Sequence, residues 1–166
     1  MSTSRRKSAP KRAPDEAQAF DLGSFAPFYL TAISNKLTRG ASRLYLDRFG
    51  VGIVEWRAMV TLAVFGKAAA QDVCRLVGLD KAAVSRAFSR MEEMKLIAPA
   101  AGDVSGRAKP YKLTPARKAM HDRILVIALE REDALLAPLS PSERKKFIEF
   151  LRRIHEHLPH AALGAS

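Results

Sequence analysis

The chain has 166 residues, enough for one domain with a substantial core, and its 28 Lys and Arg against 17 Asp and Glu give a formal charge of +11. This excess favours a polyanionic partner, and the single cysteine, Cys74, excludes an internal disulfide and a cysteine-rich metal cluster. The longest strictly apolar run, 124–129, is far too short to span a membrane, so we expect a cytoplasmic protein.

Residues 1–19 are rich in Ser, Ala, Pro and charged side chains and show no apolar period, which predicts a disordered arm. Five basic and two acidic residues give this arm a charge of +3, which leaves +8 for the rest of the chain. The expectation of a polyanionic partner therefore does not depend on the arm. No apolar segment follows the basic residues, so we do not expect a signal peptide.

A long helix is predicted over 24–49, where apolar residues recur at helical spacing until a pair of glycines breaks the pattern. The next helix, predicted over 53–65, is apolar on nearly every side, which implies burial on most of its surface. Trp56 is best explained as a core aromatic residue. Together with Met59 it is also our candidate for the wall of a small-molecule pocket.

The following segment has the layout of a helix-turn-helix. A short helix within 68–79 ends at Gly78, and Asp80 is placed to cap a second helix by accepting free N–H groups of its first turn. One face of that second helix is apolar and suits packing on the core. The opposite face combines short side chains with two arginines: Ala82, Ser85, Arg86, Ser89 and Arg90. Such a face allows another surface to approach closely while the arginines reach into it.

Between 98 and 114 the helical period is lost, and a Gly-Asp-Val-Ser-Gly turn with alternating residues predicts a two-stranded hairpin, or wing. Thr-Pro at 114–115 suits the N-cap and first position of a helix that runs to Leu136. Ser-Pro-Ser-Glu at 140–143 is a capping box that opens a last helix, ended by Pro159. We therefore predict a mainly α fold with a small β-hairpin.

A helix-turn-helix can bind duplex DNA, because its second helix fits the major groove and presents its first turns to base edges. Arg86 is our candidate for a base contact, since a guanidinium can donate two parallel hydrogen bonds to guanine. Ser85 and Ser89 suit bases or phosphates, and the small Ala82 allows close approach of the helix.

The phosphate backbone would be contacted from the side of the helix and from the wing. Lys81 and Arg90 are placed to fix the register of the protein on DNA without reading sequence. Arg107 and Lys109 belong to the hairpin and could reach an adjacent minor groove or its phosphates.

Three stretches resemble the MarR (multiple antibiotic resistance regulator) family of winged helix-turn-helix regulators: VEWRAMVTLA, DVCRLVGLDKAAVSRAFSRMEEMKLI and RAKPYKLTPARKAM. The resemblance implies an obligate homodimer, formed by the first and the last two helices, that binds a near-palindromic operator as a repressor and is released by a small aromatic or phenolic effector. The chain departs from the family at Lys95, where Gly is common, and at 105–107, where Ser-Gly-Arg replaces a wing tip that often begins with Asp.

We expect one domain over 20–160, with a winged helix-turn-helix at about 53–114, dimerisation helices at about 24–49 and 115–158, and a tail at 161–166. The terminal helices carry more apolar surface than a small winged domain can cover, and a two-fold dimer would hide it. Our candidates for the dimer interface are Leu30, Ile33, Ile127, Phe147, Leu151 and Ile154.

Other classes of function fit less well. An enzyme is not expected, because the sequence has no Gly-rich phosphate loop, no metal-spaced His and Glu set and no nucleophile with a recognisable base. We expect no cofactor and no metal, since His155, His157 and His160 lack the spacing for joint ligation. Two alternatives stay open: an architectural DNA-binding protein indifferent to sequence, and a helical adaptor that binds protein. The expected partners are double-stranded DNA, a second copy of the chain and a small-molecule effector, with no membrane.

Overall fold

The computed structural model describes residues 21–101 and 109–158. Within these ranges the elements are a 3-10 turn Leu22–Ser24, α1 Ala26–Phe49, α2 Ile53–Phe65, α3 Ala70–Val77, α4 Lys81–Glu93, β1 Ile97–Pro99, β2 Tyr111–Leu113, α5 Pro115–Leu136 and α6 Pro141–His157. This confirms the predicted mainly α fold with a small β-hairpin. The basic arm, the turn of the wing with Arg107, Pro159 and the tail lie outside the described residues.

The turn of the helix-turn-helix is built as the sequence predicts. Gly78 ends α3 with φ of 67°, a left-handed conformation that glycine adopts without steric cost. The Asp80 carboxylate then accepts the Ala83 N–H at 2.8 Å and caps α4. These two devices fix the angle at which α4 leaves α3.

The starts of α5 and α6 differ in how they are capped. At α6 the Glu143 carboxylate accepts the Ser140 N–H at 2.8 Å, which forms the predicted capping box. Thr114 stands at the N-cap of α5, but its side chain does not cap the helix. Its hydroxyl instead donates to the Lys95 carbonyl oxygen at 2.9 Å, so it ties α5 to the end of α4.

The wing is attached to the helix-turn-helix through backbone hydrogen bonds. Strands β1 and β2 are antiparallel, with Ile97 opposite Leu113. Ala68, between α2 and α3, bridges to β2: its N–H donates to the Tyr111 carbonyl oxygen at 3.1 Å and its carbonyl oxygen accepts the Tyr111 N–H at 2.9 Å. The base of the wing is therefore held at a fixed position relative to α3.

Helix α2 lies at the centre of the core. The buried apolar side chains around it include Tyr45, Trp56, Met59, Leu62, Val84, Phe88, Met91, Leu96, Ile97 and Ile124. Trp56 is a core aromatic, as expected: its ring meets Tyr45 edge-on at 5.7 Å and stacks on His121 at 5.4 Å. The predicted burial of α2 holds as far as Leu62, whereas the side chains from 63 to 65 are exposed.

The terminal helices stand largely outside this core. No residue of α6 is buried, and in α5 the apolar run 124–129 buries only Ile124. Large apolar side chains are exposed along α1, α5 and α6, among them Phe28, Tyr29, Leu30, Ile33, Val126, Leu129, Leu135, Ile148, Phe150 and Ile154. Within the two described ranges, no helix combines the length and the apolar character that crossing a membrane requires.

Candidate nucleic-acid interface

The two faces of α4 have opposite environments. Its apolar side chains, Val84, Ala87, Phe88 and Met91, are buried in the core. The side chains singled out for DNA contact are all exposed: Lys81, Ala82, Ser85, Arg86, Ser89 and Arg90. From Ala82 to Ser89 this face spans about two turns of helix. Its side chains are mostly short and exposed, so another surface can approach it closely. We refer to Ala82, Ser85, Arg86 and Ser89 as the readout face.

Arg86 has the freedom that a base contact requires. Among residues 21–101 and 109–158, its guanidinium forms neither a hydrogen bond nor an ion pair. Arg86 acts on Asp80 only weakly: the pKa of Asp80 is held below the usual value mainly by the N–H groups of Ala83 and Ala82, and less by the charge of Arg86. The guanidinium can therefore donate hydrogen bonds to a ligand without first breaking a strong contact to the described residues.

Arg90 is placed differently from Arg86. Its Nη1 lies 3.6 Å from Oε1 of Glu55, near the start of α2, and its Nη2 donates to the Gly50 carbonyl oxygen at 3.2 Å. Glu55 was not identified from the sequence as a functional residue. The available signal was that only two charged residues, Glu55 and Arg57, interrupt the apolar sequence of α2.

Lys109 lies at the base of the wing, against the end of α4. Its Nζ is 3.8 Å from Oε1 of Glu92 and 5.2 Å from the centre of the Tyr111 ring, and the Tyr111 hydroxyl donates to Oε2 of Glu92 at 3.2 Å. Lys109 stays more than half exposed, so it remains able to face a phosphate. Arg107, its partner in the sequence prediction, lies outside the described residues.

A cleft between α1, α2 and α5 contains two arginines. It has a volume of about 210 Å³ and is lined in part by Arg57 and Arg131. Arg57 Nη2 donates to Thr38 Oγ1 at 3.1 Å, and Arg131 Nη2 donates to the Leu37 carbonyl oxygen at 3.2 Å. The predicted pocket residues Trp56 and Met59 are buried in the core and are not among the residues that line this cleft.

A larger cavity, of about 460 Å³, lies between the ends of α2, α3 and α6, with Phe65 and Leu76 on its apolar wall. His155 and Glu156 of α6 close one side of it. In the described part of the chain, no three His, Cys, Asp or Glu side chains are grouped so that they could hold a metal ion.

The predicted interface residues of the terminal helices are accessible in the single protomer. Leu30, Ile33 and Ile154 are exposed, and Ile127, Phe147 and Leu151 are half-buried. They lie on α1, α5 and α6, whereas the readout face lies on α4.

Comparison of the sequence with protein-family models and with curated proteins finds no match. Solved structures do match. A MarR/EmrR family transcriptional regulator from Acinetobacter sp. ADP1 has a TM-score of 0.76 and 27% identity, over 85% of this chain and 99% of that one. A MarR family regulator from Silicibacter pomeroyi DSS has a TM-score of 0.74 and 20% identity, over 85% and 95%.

A third similar structure is the S. aureus MepR–DNA complex, with a TM-score of 0.68 and 18% identity over 83% of this chain and 99% of that one. The matches therefore extend across the helix-turn-helix, the wing and the terminal helices together. The chain therefore has the winged helix-turn-helix fold of these MarR-family structures, as the sequence motifs predict.

Proposed function

We propose that this protein is a homodimeric, sequence-specific transcriptional regulator that represses transcription by binding a near-palindromic operator. The observation that carries the proposal is the readout face: an exposed strip of small side chains on α4 with Arg86 at its centre, whose guanidinium has no partner among the described residues. A helix of this kind can enter the major groove, and the fold is one that the S. aureus MepR structure contains in complex with DNA.

The terminal helices support the dimer. They expose large apolar side chains such as Leu30, Ile33 and Ile154, and isologous contact between two copies would remove these from water. A two-fold axis would also place two readout faces roughly 34 Å apart, which is one helical turn of DNA. Each half of a palindromic operator would then meet one α4.

The decisive experiment selects bound duplexes from a random pool and measures binding over a series of salt concentrations. Specific readout gives a preference for the selected duplex of about a thousandfold or more over random DNA, and the preference persists as salt rises. An architectural protein would bind both duplexes alike with the same salt dependence. Failure to bind any duplex, with capture of a protein partner, would favour the adaptor.

We further propose that the cleft between α1, α2 and α5 takes a small aromatic carboxylate that releases the operator. Arg57 and Arg131 supply positive charge beside apolar walls, and a ligand there would contact the dimerisation helix α1 and the core helix α2 at once.

Benzoate is a suitable probe, with uncharged benzamide as its matched analogue. Benzoate should weaken operator binding of the wild type, benzamide should not, and Arg57→Gln should remove the response while retaining operator affinity. Arg75→Gln changes an exposed arginine away from the cleft and should respond as the wild type does. An equal response of Arg57→Gln and wild type would refute this site, and loss of the response in Leu76→Gln would move it to the larger cavity.

A further inference from the structure

The side chain of Arg90 joins three segments of the chain. Its guanidinium reaches the Glu55 carboxylate at the start of α2 and the Gly50 carbonyl oxygen, which belongs to the residue that ends α1. Through this one side chain, α4 is attached to α2 and to the end of α1. Arg90 directly follows Ser89, which lies at the edge of the readout face.

Glu55 is held in place by its surroundings. The residue is buried, and its side chain is only 11% exposed. It is the third residue of α2, where the free N–H groups of the first turn favour a carboxylate. Its carboxylate lies against Gly52: a Cβ at that position would be 2.5 Å from Oε2. Glycine thus leaves the space that the Glu55 carboxylate occupies.

These contacts decide between two roles for Arg90. If Arg90 turned outward to a phosphate, it would leave the mostly buried carboxylate of Glu55 without its cation, and an uncompensated charge in that position is costly. Arg90 would also give up its hydrogen bond to Gly50. Arg86, by contrast, gives up no such contact when it binds a ligand.

We propose that Glu55 and Arg90 are positioning residues: the pair fixes how α4 is rotated against α2 and so aims Arg86 at the base edges. This inference rests on the proposed DNA-binding function and revises the phosphate-contact role predicted for Arg90. A rotation of α4 by a small angle would move its exposed side chains relative to the groove, and geometry of this kind must be held within roughly 10–20°.

The sign of one effect separates the two roles. Replacing an acidic residue near DNA with a neutral one removes repulsion from phosphates, so electrostatics alone predicts tighter binding for Glu55→Gln. Positioning predicts the opposite, because the variant loosens the helix that carries Arg86. We expect Glu55→Gln to weaken binding to the selected duplex about fivefold, the upper range for one partly exposed ion pair.

Three further variants isolate the cause. Glu93→Gln removes an exposed acidic residue from α4, the helix that carries Arg86, and should bind DNA as tightly as the wild type or more tightly. Gly52→Ala leaves the charge unchanged but places a methyl group where the Glu55 carboxylate lies, so it should weaken specific binding as Glu55→Gln does. Arg90→Ala should lower affinity without changing the slope of log Kd against log salt, whereas loss of one phosphate contact changes that slope by about 1.

Amide hydrogen exchange of the free protein completes the test, since it needs no DNA. Faster exchange in α4 of Glu55→Gln and Gly52→Ala, with Glu93→Gln unchanged, is the expected result. The inference is overturned if Glu55→Gln binds the selected duplex more tightly, if Arg90→Ala lowers the salt slope by about 1, or if exchange in α4 does not change. A wild type with no preference among duplexes would refute the proposed function instead, and exchange would still decide whether the pair holds α4.

Discussion

At the scale of single residues, two arginines on one helix have opposite roles. Arg86 and Arg90 are four residues apart and both exposed, yet among the residues that the structure describes only Arg90 has an acidic partner. The sequence places both on the outer side of α4, because helical spacing alone gives their direction. It does not predict Glu55 as the partner of Arg90, since the two residues are far apart in sequence and no local pattern links them.

Arg86→Ala should reduce discrimination between the selected duplex and one with a changed base pair by about 1–3 kcal/mol, the usual worth of a bidentate base contact. Binding to random DNA should weaken much less. Arg152→Ala is the matched control, because it removes an exposed arginine from the polar side of α6. Competition binding with single base-pair variants measures the effect. Equal losses on selected and random DNA would show that Arg86 contacts phosphate.

Lys95 is the one described residue other than glycine with a positive φ, at 56°. It stands where the MarR resemblance leads one to expect Gly, so the departure noted in the sequence corresponds to a strained backbone position. A left-handed conformation costs a residue with a Cβ roughly 1–2 kcal/mol. Both of its backbone groups are used: the N–H donates to Glu92 and the carbonyl oxygen accepts from Thr114.

Lys95→Gly should therefore stabilise the protein. Relief of the strain exceeds the extra entropy that glycine gives the unfolded chain, roughly 0.4–1 kcal/mol, and leaves a net gain of about 0.5–1 kcal/mol. Urea unfolding measures it. Lys95→Ala is the control: it removes the same charge but keeps the Cβ, so it should bring no gain. If both variants were equally stable, charge rather than backbone strain would be the cause.

At the scale of elements, the helices were the most predictable part of the fold. Residues 53–65 form α2 over the predicted range, and α4 begins directly after its predicted cap, Asp80. Both carry two independent local signals, an apolar period and a terminal capping or glycine residue. The extent of burial was less predictable: Val64 and Phe65 continue the apolar pattern of α2 but are exposed, because burial depends on which elements pack nearby.

The cap of α4 predicts a dependence of stability on pH. Hydrogen bonds from Ala83 and Ala82 lower the pKa of Asp80, so the charged carboxylate stabilises the folded state at pH above its unfolded pKa of about 3.9. This contribution is lost as pH falls through the lower pKa of the folded state. The cap stabilises α4, the helix that carries Arg86. Loss of the cap should therefore also loosen the readout face.

Asp80→Ala should lower Tm by several degrees at neutral pH, and the difference from the wild type should shrink as the solution is acidified below about pH 4. Asp80→Asn is the matched variant: its amide oxygen can still cap the helix, but it does not titrate. Calorimetry over this pH range checks both variants. A difference between Asp80→Ala and wild type that is constant with pH would argue against a charged cap.

At the scale of the whole molecule, the readout face and the exposed large apolar side chains lie on different helices. The readout face is small and basic, while α1, α5 and α6 expose large apolar side chains. The sequence predicted this division, because apolar residues in the terminal helices exceed what one small core can bury. It did not predict the cleft with Arg57 and Arg131, since three helices must pack before their side chains meet.

The apolar surface yields a prediction that joins assembly to DNA binding. Ile154 is 49% exposed on α6, so a glutamate there would not disturb the core of a protomer but would place a charge in the proposed dimer interface. Ile154→Glu should dissociate the dimer at concentrations where the wild type remains paired. Affinity for a full operator should fall about a hundredfold or more, because the second half-site is no longer bound as an intramolecular step. Affinity for a single half-site should change little.

Val64→Glu is the control for this variant. Val64 is even more exposed, at 72%, but lies at the end of α2, outside the helices that we assign to the dimer. It should leave both the dimer and operator affinity intact. Sedimentation equilibrium and binding to full and half operators measure the two properties together. If Ile154→Glu became monomeric yet kept full affinity for the operator, each protomer would read DNA independently, and the two-fold arrangement of readout faces would have no part in recognition.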